Sequence, residues 1–388
     1  MKKLFKGTVI FTALVGIVFL LMMATDTAYL LRGVRTTYLR GQTGVDIYDY
    51  TVQSTKTIHA QDGHAWEFDA AYNQLPLGDT LESFLQQYNT TAFLIIKNGK
   101  ILAEKYYNGA SADTLSGVWS VTKTYTSLLI LKAVEDGLID SIDDPVSKYL
   151  PEWKVKQSPE LTLRHLASMS TGLYWEELDQ RPLSLIAKLN FYGDLEKFVL
   201  NDLYAVGNPG DTQNYDSGAT QLLGIVLKRV LKGKSISDYL AEKFWIPLGC
   251  ENDALFIVDS CWHGNEKTFA GLVATARDIS RLGVAIAHNG VFKQKQILSP
   301  HQMSILTRIP FHNKTYAYGI WTGEYKGKRF YYQSGHRGQF IISFPAERLV
   351  ITRLGHEKLK KADQEDVSAE TYIFIEEALK MIASAKQS

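Results

Sequence analysis

The sequence predicts an α/β (α+β) fold in which an antiparallel sheet is flanked by helices and a helical domain is inserted into the chain. Strand patterns occur near residue 100 and again beyond residue 316, and the apolar residues between about 158 and 260 have mainly helical spacing. We therefore predict a discontinuous α/β domain formed by residues 31–157 and 265–388. A helical domain is predicted at 158–264, and a separate N-terminal segment at 1–30.

A tight hairpin begins the predicted sheet. Residues 91–97 and 101–107 have the composition of strands, and Asn98-Gly99 stands between them. Both turn residues tolerate the positive φ that a two-residue hairpin turn requires. We expect this hairpin to complete a sheet whose other strands come from the end of the chain. Those strands are predicted at 318–325, 329–333, 339–344 and 349–354.

Apolar residues at helical spacing predict the helices, and glycine and proline residues separate them. The predicted helices are 81–88, 120–136, 161–168, 182–190, 219–231, 236–244, 275–288 and 367–385. A sheet domain beside a helical domain leaves a cleft between them, which is a usual place for a binding site.

The charge balance and the cysteine content exclude some classes of protein. A formal net charge of +1 lacks the basic excess of a nucleic-acid binder. Hydrophobic residues make up 45% of the 388 residues, which is enough for a sizeable core. Cys250 and Cys261 are too few for a disulfide scaffold and lack the spacing of metal ligands. In an exported domain they could form one bridge or remain two free thiols.

The N-terminal segment predicts a membrane anchor or a signal sequence. Three lysines precede an uncharged run at residues 7–25, which would extend roughly 28 Å as a helix, close to the thickness of a bilayer core. The run is long for a signal peptide and lacks a clean cleavage site, which favours an uncleaved anchor. Three arginines between residues 32 and 40 leave its orientation open. Either interpretation places the rest of the chain outside the cytoplasm, on the periplasmic side of the inner membrane or secreted.

The first candidate site is Ser120-Val121-Thr122-Lys123, at the start of a predicted helix. Residues three apart on a helix share a face, so the Ser120 hydroxyl and the Lys123 amine are expected to meet. The first helical turn stabilises a developing anion, and burial lowers the pKa of a lysine until it can accept a proton. The alternative is a capping serine and a solvated lysine, because Ser-x-x-Lys is common by chance.

The second candidate is Tyr215-Asp216-Ser217, which precedes another predicted helix. A tyrosine near an ammonium group can be shifted toward phenolate and act as a base, or it can relay a proton. The alternative is a tyrosine that only packs in the core.

The third candidate is the run 335–339, Gly-His-Arg-Gly-Gln, between two predicted strands. Its glycines would let a substrate or another backbone approach closely. The Gln339 N–H could then donate to an oxyanion from the side opposite the Ser120 N–H. The alternative is an ordinary hairpin turn.

Together the candidates follow the order Ser-x-x-Lys, Tyr-x-Asn, Lys/His-x-Gly, the signature of serine β-lactamases and penicillin-binding proteins. Over about residues 40–385 the sequence resembles this superfamily, in particular its class C β-lactamase, D-alanyl-D-alanine carboxypeptidase and serine-esterase branch. Residues 161–173, 271–281 and 335–339 look closest to 6-aminohexanoate-dimer hydrolases. The resemblance implies a β-lactamase/transpeptidase-like fold.

The resemblance also implies roles for the residues that would carry the reaction. Ser120 would be the acylated nucleophile, and Lys123 would be its proton acceptor. Tyr215 would assist proton transfer to and from the leaving group or water.

A second set of roles concerns substrate and oxyanion binding. His336 stands where the family usually has lysine, and it would position the substrate or Tyr215. Gly338 and Gln339 would contribute to the same side of the site. Ser217 stands where the family often has asparagine, so recognition of a substrate amide is the property that this departure affects.

We therefore predict a serine hydrolase that acts on carboxylic esters or small amides through an acyl-enzyme. A penicillin-binding or β-lactamase-type peptidase or β-lactam hydrolase is one alternative, and a membrane-tethered binding protein with little turnover is another. No metal or cofactor is expected, because the chain has no zinc-helix histidine pair and no complete phosphate loop. The expected partners are a small-molecule substrate and the membrane, without nucleic acid, and the oligomeric state stays open.

Overall fold

The computed structural model describes residues 2–153, 161–179, 181–310, 312–359 and 367–385. Their helices are α1 (Lys2–Ala24), α2 (Tyr29–Thr36), α3 (Asp79–Gln87), α4 (Thr122–Glu135), α5 (Leu163–Ala167), α6 (Leu185–Phe191), α7 (Leu195–Asn201), α8 (Ser217–Val230), α9 (Ile236–Leu240), α10 (Ala276–Ala287), α11 (Pro300–Thr307) and α12 (Ala369–Ala385). Their strands are β1 (Thr55–Ile58), β2 (Thr90–Lys97), β3 (Lys100–Tyr106), β4 (Ser116–Gly117), β5 (Ala254–Ile257), β6 (Leu272–Ala274), β7 (Val291–Phe292), β8 (Lys295–Gln296), β9 (Trp321–Tyr325), β10 (Lys328–Gly335), β11 (Gln339–Phe344) and β12 (Leu349–Gly355).

A six-stranded antiparallel sheet has the order β3-β2-β12-β11-β10-β9. The hairpin of β2 and β3 turns at Asn98 and Gly99, whose φ angles of 52° and 79° are positive as predicted. β12 pairs with β2 from Leu349 opposite Lys97 onward, so the first hairpin and the last strands form one sheet. The predicted fold class, with an antiparallel sheet flanked by helices, is confirmed.

Helices cover both faces of this sheet. On one face α10 packs against β11 and β12, where Gly283 leaves room for Ile341 and Val350. On the other face α3 and α12 contribute Leu85 and Phe374 to a separate apolar cluster. Because successive side chains point to opposite faces, strands covered on both sides are buried along nearly their whole length and are mostly apolar, as β2 and β12 are.

A second sheet, in the order β1-β5-β6-β4, was not predicted from the sequence. Each of its strands has four residues or fewer, too few for an alternating pattern to be recognised. β5 lies within the range 158–264, so the stretch between the two parts of the main sheet is not wholly helical. The division of the chain into domains with the boundaries given above stays a prediction.

One local expectation needs correction. The helix expected from residue 120 begins at Thr122, because Trp119–Val121 form a 3-10 turn before it. Of the two alternatives left open for the cysteines, the structure has the free thiols: Cys250 is buried in the core, whereas Cys261 is exposed to solvent.

Among the described residues, α1 alone is long and apolar enough to cross a membrane by length and composition. The qualifying stretch covers the 20 residues Phe5–Ala24, and none of it is buried against the rest of the chain. The predicted apolar N-terminal segment is therefore present, as a helix that suits either a signal anchor or a signal peptide.

Gly335 ends β10 at the point where this strand passes the turn that carries Ser120. A Cβ atom at Gly335 would lie 2.3 Å from the carbonyl oxygen of Val118, so strand and turn would have to separate. We predict that Gly335→Ala lowers the free energy of unfolding by about 1–3 kcal/mol, measured by urea unfolding in mild detergent. Gly193→Ala is the matched control, because its nearest atom, Nη1 of Arg32, would lie at 3.6 Å. Equal losses in both variants would contradict this account.

Candidate active site

A strained turn positions Ser120 directly before α4. Trp119 has a φ of 50°, a left-handed conformation that is uncommon for an aromatic residue. The turn is tied to β6, since the N–H of Val118 donates to the Leu272 carbonyl at 3.0 Å. The Thr122 hydroxyl donates to the Trp119 carbonyl at 2.6 Å and accepts from the Leu272 N–H at 3.1 Å. These bonds hold Ser120 at the N-terminal end of α4, where unpaired backbone N–H groups are concentrated.

Lys123 contacts Ser120 as the spacing of the two residues predicts. Its buried Nζ atom donates to the Ser120 Oγ at 2.8 Å and to the Phe269 carbonyl at 3.0 Å. The same Nζ atom lies 5.0 Å from the centre of the Tyr215 ring. The carbonyl and the ring fix the amine beside the serine hydroxyl without pairing it with a carboxylate.

The electrostatic surroundings of Lys123 bring its pKa close to neutrality. Burial lowers this pKa to about 8, while the carboxylates of Glu177 and Asp216 partly oppose the change. With a pKa of about 8, roughly one molecule in ten carries a neutral Lys123 amine at pH 7. A fraction of neutral amine is therefore present beside the serine hydroxyl at neutral pH.

The phenol of Tyr215 also interacts with the Ser120 hydroxyl. Its ring stacks on Trp321 with centroids 5.4 Å apart and meets the edge of Tyr316 at 5.6 Å. Burial of the phenol raises the Tyr215 pKa well above its ordinary value. Two possibilities were considered for this tyrosine, a phenolate base and a neutral hydroxyl that relays protons. Its buried surroundings favour the neutral hydroxyl.

Ser217 is almost fully buried and its hydroxyl is already used. The Oγ donates to Glu177 Oε1 at 2.6 Å, and the Ser217 N–H donates to Oε2 of the same carboxylate at 3.2 Å. The indole N–H of Trp175 donates to this Oε2 atom at 2.6 Å. Ser217 therefore holds a carboxylate in the site and does not offer its own hydroxyl to a ligand.

Sequence reasoning missed Glu177. It stands in the run Glu-Glu-Leu-Asp at 176–179, which reads as an exposed loop, and nothing local distinguishes it from Glu176. Glu176 pairs with Arg181 at the surface, whereas Glu177 faces Ser217 and Trp175. Only the fold separates these two neighbours.

Asp216 is fully buried beneath the site. One carboxylate oxygen accepts from the Ala219 N–H at 2.9 Å and caps α8. The other oxygen has no hydrogen-bond partner among the described residues. Burial raises the pKa of Asp216 to about 7, so this carboxyl and the Lys123 amine both titrate near neutral pH.

The His336 ring lies at the mouth of the site. It is exposed and meets the edge of the Trp119 ring, with centroids 5.7 Å apart. Desolvation by the surrounding protein, together with the positive charges of Lys358 and Arg337, lowers the pKa of His336 below its ordinary value. The imidazole is therefore neutral at pH 7.

Gln339 and Gly338 shape the loop behind His336. The Gln339 amide group is buried and donates to the carbonyls of His336 at 2.9 Å and Gly355 at 2.7 Å. A Cβ atom at Gly338 would lie 2.2 Å from Nη1 of the buried Arg353 guanidinium. The side chain of Gln339 is thus structural, and its expected oxyanion contact, through the main-chain N–H, stays a prediction.

A cavity of about 270 Å³ opens above Ser120. It is lined by three of the predicted residues, Ser120, Ser217 and His336. Lys123 and Tyr215 reach this cavity through Ser120, while Gly338 and Gln339 are not part of its lining. The remaining walls come from the turn before α4, the segment before β6, the loop before α6, and α6 itself; they include Trp119, Glu177, Leu178, Ile186, Ala187, Asn190 and Phe269.

A buried lysine bonded to a serine at the start of a helix, beside a three-residue hairpin loop of an antiparallel sheet, is the arrangement that the motif order predicts. The chain belongs to the Beta-lactamase family, whose family model matches residues 78–370. The superfamily resemblance predicted from the three motifs is confirmed.

Relatives and solved structures agree with this membership. A 6-aminohexanoate-dimer hydrolase of Paenarthrobacter ureafaciens is 26% identical over 242 residues, which cover 60% of this chain and 59% of that protein. The chain thus matches less than two thirds of that relative's length.

Similarity to solved structures extends further along the chain. A Bacillus anthracis protein provisionally named 6-aminohexanoate-dimer hydrolase superposes with a TM-score of 0.74 at 20% identity, covering 90% of this chain and 95% of that one. A family VIII carboxylesterase has a TM-score of 0.61 at 17% identity, covering 82% and 99%. At these identities the similarity concerns the fold, and it confirms the predicted β-lactamase/transpeptidase-like architecture.

Glu177→Gln is expected to lower the Lys123 pKa further, because the carboxylate that stabilises the ammonium form loses its charge. The rate of Ser120 labelling by a fluorophosphonate should then reach its plateau at a pH lower by about half a unit or more. Glu176→Gln is the matched control, since Glu176 pairs with Arg181 at the surface. No shift in Glu177→Gln, or the same shift in both variants, would show that Glu177 does not act on the lysine.

Proposed function

We propose that this protein is a serine hydrolase that cleaves carboxylic esters or small amides through an acyl-enzyme on Ser120. The observation that carries the proposal is the 2.8 Å hydrogen bond from Lys123 Nζ to Ser120 Oγ, made by a buried amine whose pKa falls to about 8. A purely structural buried lysine would be expected to pair with a carboxylate. Lys123 takes part in no ion pair among the described residues. Its amine contacts the serine hydroxyl instead, as expected of a group that accepts the serine proton.

The reaction would proceed in two halves. The neutral Lys123 amine accepts the Ser120 proton as the serine oxygen attacks the carbonyl carbon of the substrate. The tetrahedral oxyanion collapses, the bond to the leaving alcohol or amine breaks, and that group takes up the proton held by Lys123, relayed through Tyr215. A water molecule then attacks the Ser120 ester and gives one proton, through Tyr215, to the Lys123 amine, which returns it to the departing serine oxygen. The carboxylic acid leaves, and the serine hydroxyl is restored.

The oxyanion is proposed to lie between the N–H groups of Ser120 and Gln339. The close approach of β10 to the Ser120 turn at Gly335 supports this arrangement, because it brings the β10–β11 loop beside the serine. His336 is proposed to contact the substrate at the mouth of the cavity. A neutral imidazole suits that position, since the role of base belongs to Lys123.

Two features of the cavity bear on the substrate. The Ser217 hydroxyl is bonded to Glu177 and therefore does not replace the amide group of the usual asparagine. The Glu177 carboxylate adds negative charge to the cavity wall, which disfavours anionic substrates such as penicillins and cephalosporins, whose ring systems carry a carboxylate. Neutral esters and uncharged amides escape this repulsion, and esters in addition have the better leaving group.

We also propose that α1 holds the protein in a membrane and that the Ser120 cavity lies outside the cytoplasm. The support is the exposed apolar helix Phe5–Ala24, which precedes the family match at residues 78–370. An uncleaved anchor on the periplasmic side of the inner membrane is the form that we favour, with a cleaved signal as the alternative.

Substitution of the serine and lysine tests the proposed chemistry. Ser120→Ala should abolish both ester hydrolysis and fluorophosphonate labelling, and Lys123→Ala should lower kcat/KM by at least about a hundredfold. Lys123→Arg should not restore activity, because a guanidinium stays protonated. The measurements are steady-state rates on p-nitrophenyl acetate and mass mapping of the adduct, with thermal unfolding as the control for folding. An adduct on another serine, or wild-type activity of Lys123→Arg, would refute the assignment.

Substrate preference provides a separate test. We predict a higher kcat/KM for short p-nitrophenyl esters than for a chromogenic cephalosporin or a linear amide dimer. Glu177→Gln should raise cephalosporin turnover relative to ester turnover, because the repulsion of the substrate carboxylate is removed. Ser217→Asn should raise amide turnover relative to ester turnover, since asparagine offers both a donor and an acceptor. Efficient cephalosporin hydrolysis by the unmodified protein would show that the ester preference is wrong.

A further inference from the structure

The chain that follows α1 is fixed to the wall of the Ser120 cavity. Asp26, two residues after α1, accepts from the Tyr192 hydroxyl at 2.6 Å and from the Lys188 Nζ at 2.9 Å. Lys188 lies on α6, and Tyr192 directly follows this helix. The end of the apolar helix is therefore fixed to α6 by hydrogen bonds from a lysine and a phenol, and no free linker separates the two.

The next helix, α2, packs along the same element. The Tyr29 hydroxyl donates to the Pro182 carbonyl at 3.1 Å, just before α6. Gly33 permits close contact, since a Cβ atom there would lie 3.3 Å from the Phe191 ring at the end of α6. These contacts at both ends of α6 hold α2 beside it.

The opposite side of α6 lines the Ser120 cavity through Ile186, Ala187 and Asn190. One helix with its side chains is about 10 Å thick, so the cavity lies about that distance from the segment that leaves α1. The loop before α6 also reaches the cavity, where Leu178 is 90% exposed at the rim. The entrance to the site is thus close to the end of the apolar helix, and an exposed leucine stands on its rim.

Exposed apolar side chains surround this region and form what we call the juxtamembrane face. Its residues are Leu31, Val34, Tyr38, Leu39, Leu183 and Trp262. Trp262 is 89% exposed and lines the same crevice of about 460 Å³ as Met23 at the end of α1. Tryptophan next to the end of a membrane span is typical of the lipid–water interface.

The charges on this face complement a lipid surface. Arg35 is exposed on α2 one helical turn after Leu31, so that its guanidinium lies beside an apolar side chain of this face. Arginine at this position can bind lipid phosphates while its neighbours enter the headgroup region. The apolar helix α1 leads directly into α2, and α2 packs against α6. A bilayer that holds α1 would therefore lie next to this face, and we take it as the occupant.

We propose that the juxtamembrane face lies on the membrane surface and that the Ser120 cavity takes amphiphilic esters or amides whose acyl chain remains in the membrane. This inference rests on the proposed hydrolase function. The chemistry is the same acyl transfer: the Ser120 ester forms as the bond to a polar alcohol or amine breaks and that group takes up a proton. Water then releases the fatty acid.

The test compares two esters on the full-length protein in vesicles of phosphatidylcholine and phosphatidylglycerol. One ester is soluble p-nitrophenyl acetate, and the other is p-nitrophenyl palmitate dissolved in the vesicles. The variant Leu39→Asp/Leu183→Asp should lose at least about tenfold in rate on the vesicle ester and change less than about twofold on the soluble ester. Leu138→Asp is the control, an exposed leucine beyond the far end of α4, about 20 Å along that helix from Ser120. It should affect neither rate.

A second measurement reports contact without activity. Brominated lipids should quench the part of the tryptophan fluorescence that Trp262→Phe removes. Absence of this quenching, or equal rates of the double variant and the control on the vesicle ester, would overturn the membrane-facing arrangement. A concentration-dependent dimer that buries the face would overturn it as well. If the unmodified protein hydrolyses neither ester and is not labelled by the fluorophosphonate, the hydrolase function is refuted. The quenching result then still decides whether the face contacts the membrane.

Discussion

The low pKa of the Lys123 amine depends on its burial without a paired carboxylate, and the surrounding structure maintains this condition. The amine is held by one carbonyl from the segment before β6 and one aromatic ring, so that its third direction is free for the Ser120 hydroxyl. A charged partner at hydrogen-bond distance would keep the lysine protonated. Two carboxyls lie farther away, at Glu177 and Asp216, and they moderate the effect of burial without cancelling it.

The two sheets matter because they bring three distant parts of the chain to this lysine. β4 and β6 hold the turn before α4, and the end of β10 touches the same turn at Val118. Arg353, a buried guanidinium of β12, binds the carbonyls of Gly338 and Glu357 and keeps the β10–β11 loop in place. The active-site loop is thus stabilised from behind by hydrogen bonds from one guanidinium group to main-chain carbonyls.

Features with a local signal could be predicted from the sequence. The Asn98-Gly99 turn, the late strands, and the meeting of Ser120 with Lys123 all depend on residues within one turn or one strand. The short strands β1, β4, β5 and β6 carry too few residues for a pattern, and their pairing is decided by distant partners. Glu177 and the burial of Ser217 were missed for the same reason, because a loop distant along the chain brings the carboxylate to the start of α8.

The left-handed backbone of Trp119 has a consequence for how this protein could change. Such a conformation costs on the order of 1 kcal/mol for a residue with a side chain, and glycine would remove that cost. Replacement by glycine would also remove the ring that meets His336 and forms part of the cavity wall. Glycine would relieve the strain but would lose the packing of the indole and add backbone freedom to the unfolded chain, so the strain at this position accompanies the shape of the site.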